Sequence, residues 1–112
     1  DYLCPFCNAF EQTNQEYINS LVDSGAATLE VFPVSILDRL SLGTKYSTRA
    51  ANAAACVADT APDSFMEFSS SLFANQPAEN SSGLDNAELI DLAGSAGDGH
   101  ADGFLVHGGS QG

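Results

Sequence analysis

Apolar positions in the first third of the chain follow two rhythms. Between Pro5 and Asp23, Phe10, Tyr17, Ile18, Leu21 and Val22 fall near one face of a helix, and Glu11, Gln12, Gln15, Glu16 and Asn19 cover the other. The spacing predicts a helix over residues 5–23, stopped by Gly25, with Phe10 and Tyr17 in the core. From Ala27 to Ile36 the helical period is lost. Thr28, Leu29, Val31, Phe32, Val34 and Ile36 are β-formers with apolar side chains on both faces, the pattern of a buried parallel strand. Pro33 removes a ladder donor and places that end at a sheet edge or past the pairing. Asp1-Tyr2-Leu3 reads as the tail of an earlier strand. Strand, helix and strand in this order predict a right-handed parallel crossover.

Beyond Leu37 the pattern is helical again. An irregular stretch, Leu37 to Leu40, precedes Gly43. Ser47 is placed to cap an alanine-rich helix through Asp59, whose small side chains allow close packing. Pro62 opens a further helix with Phe65, Phe68, Leu72 and Phe73 at helical spacing, and Asn75-Gln76-Pro77 ends it. Asp85 and Glu88 make a capping-box pair ahead of Leu89, Ile90, Leu92 and Ala93. Gly94 to Gly112 is glycine-rich and reads as loop or tail, with Phe104-Leu105-Val106 as one short strand.

Charge narrows the functions open to such a chain. Three Lys and Arg face 15 Asp and Glu, for a formal charge of −12. Phosphate backbones and anionic membrane surfaces require basic side chains, so nucleic-acid and membrane-surface roles are disfavoured. The 112 residues suffice for one domain with a modest core. The chain starts at Asp1 without Met, close to the motif described next, and is expected to be a piece of a longer protein.

The candidate chemistry lies in Cys4-Pro5-Phe6-Cys7. If a helix starts between the two cysteines, the first thiol stands at its N-terminus, where unpaired N–H groups and the positive end of the macrodipole favour an anion. The second lies one turn inside, shielded but within reach. This arrangement suits thiol–disulfide exchange, with Cys4 attacking and Cys7 resolving. Pro5 fits the first helical position, since its ring presets φ and its absent N–H is not needed there. Pro5 and Phe6 are the residues expected to tune the redox poise. A zinc site would need two further ligands, and Cys56, His100 and His107 form no second paired knuckle. A purely structural disulfide would close almost no chain. Soft Cu(I) carriage by Cys4 and Cys7 is a further alternative. No cofactor is expected. Cys56 is read as an inert small hydrophobe, and His100 and His107 as exposed tail residues.

Several separated segments resemble DsbA-like thioredoxin-fold proteins of the Gram-positive, actinobacterial type. Asp1-Tyr2-Leu3-Cys4-Pro5-Phe6-Cys7 is similar to their strand end and active site, and Phe10-Glu11-Gln12 follows as in that family. Phe32-Pro33-Val34-Ser35 looks like the strand after the first helix. Tyr46 to Ala53 looks like the start of an inserted helical domain, and Phe68 to Pro77 like its next helix and exit. The resemblance implies an α/β fold: a thioredoxin-like core with an inserted helical domain, this chain being mostly helical with few strands. Residues 1–36 would be part of the core, 37–97 the insertion and 98–112 a tail. It implies a thiol–disulfide oxidoreductase outside the cytoplasm. Cysteine-containing clients and a membrane oxidase or reductase would be its partners. The family's first strand and its cis-proline segment have no counterpart here, so the resemblance also implies incompleteness at both ends. Two other readings stand beside it: a glutaredoxin-like reductase, and a non-catalytic binding module presenting Phe65, Phe68, Leu72 and Phe73.

Overall fold

The computed structural model describes residues 1–96. His100, His107, the expected strand at Phe104 to Val106 and the tail lie outside the described residues. Four helices carry the chain: α1 (Pro5–Asp23), α2 (Tyr46–Thr60), α3 (Phe65–Ala74) and α4 (Asn86–Ala96). Single 3-10 turns at Asp38–Leu40 and Pro62–Ser64 lead into α2 and α3. No helix among the described residues is long and apolar enough to cross a membrane.

The core is built where α2, α3 and α4 meet. α2 contributes Tyr46, Ala50, Ala54 and Val57, α3 Phe68 and Leu72, and α4 Leu89, Ala93 and Ala96. The alanines recur every turn and let the helices approach closely. Cys56 is half-buried and packs against this cluster. Tyr2 and Leu3, just ahead of the cysteine motif, are buried in the same core. The motif is therefore anchored to the helical layer on its N-terminal side.

Local chemistry sets the helix ends. At the end of α1, Gly25 has a φ of +79°, Gly25 N–H donates to Val22 O at 3.1 Å, and Ala26 N–H donates to Leu21 O at 2.9 Å. This is a Schellman closure, and only glycine adopts that φ without cost. Asp85 and Glu88 form the reciprocal box ahead of α4: Glu88 N–H donates to Asp85 Oδ1 at 2.8 Å and Asp85 N–H to Glu88 Oε1 at 3.1 Å.

α2 starts two residues earlier than its sequence suggests, and Ser47 does not cap it. Ser47 lies inside the first turn and donates its hydroxyl to Asp1 Oδ1 at 2.8 Å. The N-cap is Lys45, held at a φ of 52°, whose side chain cannot accept a hydrogen bond. Remote residues supply the cap instead. Tyr46 N–H donates to Ser41 Oγ at 2.9 Å, and Thr48 N–H to Asp38 Oδ1 at 2.8 Å. Arg49 then fastens the loop before α4 to α2, donating to Thr44 O and Leu84 O, both at 2.8 Å. Gly83 in that loop leaves no room for a side chain, since an added Cβ would stand 2.6 Å from the Tyr46 ring.

Two expectations are corrected. Residues 27–35 form neither strand nor helix, and Asp1-Tyr2-Leu3 is a turn closed by Cys4 N–H donating to Asp1 O at 3.1 Å. Among the described residues there is no strand at all, so the crossover has no ladder to build on. β-propensity supplies a segment able to pair, and pairing needs a partner strand. The second correction concerns α1, which has no buried residue: Phe10 and Tyr17 are exposed. The face turned toward α3 is polar. Gln15 Nε2 donates to Ser70 Oγ, and Ser70 donates to Glu11 Oε1 at 3.1 Å. Two of the residues expected in solvent make the helix contact, and the apolar stripe lies elsewhere.

Candidate active site

Cys4 is the N-cap of α1, with φ −79° and ψ 119°, Pro5 follows in the first turn, and Cys7 sits one turn inside. This is the placement the spacing predicts. Both cysteines are thiols and both are half-buried, whereas Phe6 is 85% exposed. The four residues thus form one surface feature, with the Phe6 ring open to solvent.

Sequence makes this turn in a definite way. An N-cap side chain accepts from the free N–H groups of the first turn, a task ordinarily given to Ser, Thr, Asp or Asn. Here a sulfur takes it: Cys7 N–H donates to Cys4 Sγ at 3.4 Å. Pro5 has no N–H to offer, so the amides of Phe6 and Cys7 are the ones left to converge on the sulfur. Partial burial alone would push the Cys4 thiol up. The Cys7 amide, the Cys7 thiol and the Phe6 amide outweigh it and hold Cys4 below the ordinary thiol value. Cys7 moves the other way: burial and its hydrogen bond to Cys4 both favour its protonated form. The surroundings thus favour the thiolate at Cys4 and the thiol at Cys7.

Residues outside the motif fix this turn in place. Asp1 gathers three segments on one carboxylate: Oδ1 accepts from Leu3 N–H at 2.9 Å and from Ser47, and Oδ2 accepts from Leu37 N–H at 2.9 Å. Tyr2 shares a hydrogen bond with Ser69 at 3.0 Å and stacks at a tilt on Phe73, ring centres 5.0 Å apart. Gln76, just past α3, donates its amide to Tyr2 O at 3.1 Å and Cys4 O at 2.9 Å. Asn8 on α1 donates to Gln76 Oε1 at 3.1 Å and to Phe73 O at 3.0 Å. The sequence alone marks no role at the site for Asp1, Asn8 or Gln76. Each makes contacts to residues 36 to 74 positions away in the chain, and no periodicity marks such a contact.

Cys56 stands on α2 in the helical core and joins neither motif sulfur in a disulfide. Among the described residues, no three His, Cys, Asp or Glu side chains come together as a metal site.

A family model described as Thioredoxin matches residues 1–103. Among solved structures, the chain is similar to the reduced form of the disulfide bond oxidoreductase DsbG from Mycobacterium tuberculosis. The two are 41% identical, with a TM-score of 0.82. The match covers 96% of this chain and 53% of the other, so the chain spans about half the length of that relative. No curated protein matches.

Proposed function

The chain belongs to the thioredoxin family, and from that premise we propose that it carries out thiol–disulfide exchange through Cys4 and Cys7. The observation that supports this most directly is the Cys4 sulfur at the N-cap of α1, receiving the Cys7 amide, with the Cys7 thiol one turn behind it. The similarity to DsbG points to the same chemistry.

In the oxidising direction the protein starts with a Cys4–Cys7 disulfide. A client thiolate attacks Cys4 Sγ, the Cys4–Cys7 bond breaks, and Cys7 leaves as a thiolate that takes up a proton. A second client thiol, deprotonated, then attacks the client sulfur of the mixed disulfide and expels Cys4 as a thiolate. The client loses two electrons and two thiol protons, and the Cys pair gains the electrons. Whatever stabilises the Cys4 thiolate stabilises the reduced protein, and so favours this direction. Pro5 and Phe6 tune that balance: Pro5 by leaving the Phe6 and Cys7 amides to serve the sulfur, Phe6 by placing an uncharged apolar surface where a client docks.

The finer reading is a DsbA-like enzyme of the cell envelope or exterior, its α2–α4 layer being the helical insertion of a thioredoxin-like α/β core. Its clients would be folding proteins with cysteines, and a membrane oxidase or reductase would reset the pair. The test is oxidation of a dithiol peptide by the pre-oxidised chain. Cys4→Ser is expected to abolish it. Cys7→Ser, mixed with a peptide disulfide, should accumulate a mixed disulfide through Cys4 that mass spectrometry detects. A Cys4→Ser variant as active as the parent rules the mechanism out.

A further inference from the structure

The Cys4 carbonyl has two donors. One is Asn8 N–H at 3.1 Å, the first hydrogen bond of α1, and the other is the Gln76 side chain at 2.9 Å. Gln76 spans the Cys4 and Tyr2 carbonyls with a single NH2 group, bridging both sides of the turn that delivers Cys4 to the helix. An amide can do this only if its nitrogen, not its oxygen, faces the two carbonyls. Asn8 sets that orientation, because Asn8 Nδ2 donates to Gln76 Oε1. Asn8 is itself held by Phe73 O, which accepts from Nδ2, and by Gln12, which donates to Asn8 Oδ1 at 3.3 Å. Donors and acceptors alternate without conflict from Gln12 to Cys4, and they tie the first two turns of α1 to the end of α3.

We infer that Gln76 is a positioning residue for Cys4: its amide, oriented by Asn8, holds the N-cap turn so that the Phe6 and Cys7 N–H groups stay aimed at the Cys4 sulfur. The inference rests on the reading of Cys4 as the attacking sulfur. The physical argument is one of geometry. At 3.4 Å the Cys7 N–H···Sγ contact depends on the N-cap dihedrals, and those dihedrals belong to the peptide whose carbonyl Gln76 grips. Without Gln76 that carbonyl keeps only the Asn8 N–H and the Tyr2 carbonyl loses its tie to the turn, so the cap residue can turn toward solvent and draw the sulfur away from the amides. The thiolate then loses the donors that favour it.

The test uses the full 112-residue chain with Cys7 and Cys56 replaced by Ala, so that iodoacetamide reports Cys4 alone. In this background Gln76→Met keeps the side-chain length and removes both donors, and Gln76→Ala also removes the packing. Both are expected to slow alkylation at about pH 6 by roughly two- to tenfold, the range set by the net worth of one hydrogen bond. The pH profile should move to higher pH, and its alkaline plateau should stay at or somewhat above the parental rate, since a more basic thiolate is the better nucleophile. A plateau that holds separates loss of thiolate from loss of access. A Gln76→Met profile that coincides with the parent's overturns the inference, even if Gln76→Ala differs. If Gln76→Met loses the helical circular dichroism of the parent, Asn8→Ala decides. That variant keeps Gln76 and the Asn8 N–H, removes the Asn8 contacts to Phe73 O and Gln12, and frees the Gln76 amide to turn: a displaced profile supports the positioning role, and a parental one overturns it. The underlying reading fails by a different result, exchange activity surviving in Cys4→Ser.

Discussion

Cys4 and Cys7 are three positions apart, yet their surroundings push their protons in opposite directions. The amides of the first turn draw Cys4 below the ordinary thiol value against the effect of burial, and burial with the Cys4 hydrogen bond raises Cys7. These shifts set the sign of the reduced protein's pH dependence. Between the native Cys4 value and the ordinary thiol value of about 8.5, the unfolded chain holds a proton that the native chain has released. Stability from Cys4 is therefore full above the ordinary value and is lost as pH falls through the native one. Cys7 contributes in the opposite sense: its share is full below the ordinary value and is lost as pH rises through its raised native value. Thermal unfolding of the reduced chain across this range checks both. Cys4→Ser is expected to flatten the slope on the acid side, and Cys7→Ser the slope on the alkaline side. Identical acid-side slopes in Cys4→Ser and the parent would contradict the assigned environment. The pair's placement was legible from four residues, because a helix start between the cysteines dictates which sulfur caps and which is buried behind it. Gln76 was not legible. It reads locally as part of a helix exit, and its partners are 72 and 74 positions away.

At the level of elements, sequence and structure agree wherever an end is set by neighbours in the chain. Gly25 closes α1, and Asp85 with Glu88 opens α4, because every atom involved lies within a few residues. They part wherever the partner is distant. Ser47 has the chemistry of a cap but is taken up by Asp1, and the cap of α2 passes to Ser41 and Asp38. The faces of α1 were misassigned for the same reason. Periodicity reveals an apolar stripe but does not say what lies against it, and Ser70 on α3 selects Glu11 and Gln15 instead. Asp38 makes the capping argument testable. Its carboxylate accepts both the amide and the hydroxyl of Thr48, and its charge lies at the positive end of the α2 dipole. Asp38→Ala is expected to cost about 0.5–2 kcal/mol of stability, the usual worth of an N-cap, and Asp38→Asn less, since its amide oxygen still accepts the Thr48 N–H. Urea unfolding measures both. An Asp38→Ala variant as stable as the parent would mean that Ser41 alone suffices.

For the molecule as a whole, the question is what the apolar side of α1 and the β-forming segment do when neither is buried. Phe10, Phe32 and Ile36 are 61%, 76% and 68% exposed. Singly exposed apolar residues are unremarkable, but Phe10, Leu29, Val31 and Phe32 share a cavity of about 260 Å³ with Met66 and Phe73. Apolar side chains gathered in one open cavity, even beside Glu11, Gln15 and Glu30, attract other apolar surfaces. Opposing that is the formal charge of −12, which keeps copies apart as long as it is not screened. The balance depends on salt, since the screening length falls from about 30 Å at 0.01 M to about 3 Å at 1 M. The native 112-residue chain is therefore expected to bind an uncharged apolar fluorescent dye such as Nile red at low salt, and to self-associate as salt is raised. Phe10→Ser combined with Phe32→Ser should remove most of both effects and leave the helical circular dichroism unchanged, because neither ring belongs to the α2–α3–α4 core. Sedimentation velocity across the salt series, read beside dye fluorescence, separates the two contributions. Dye binding that persists undiminished in the double variant would place the apolar surface elsewhere, and association that weakens with salt would make it electrostatic rather than hydrophobic.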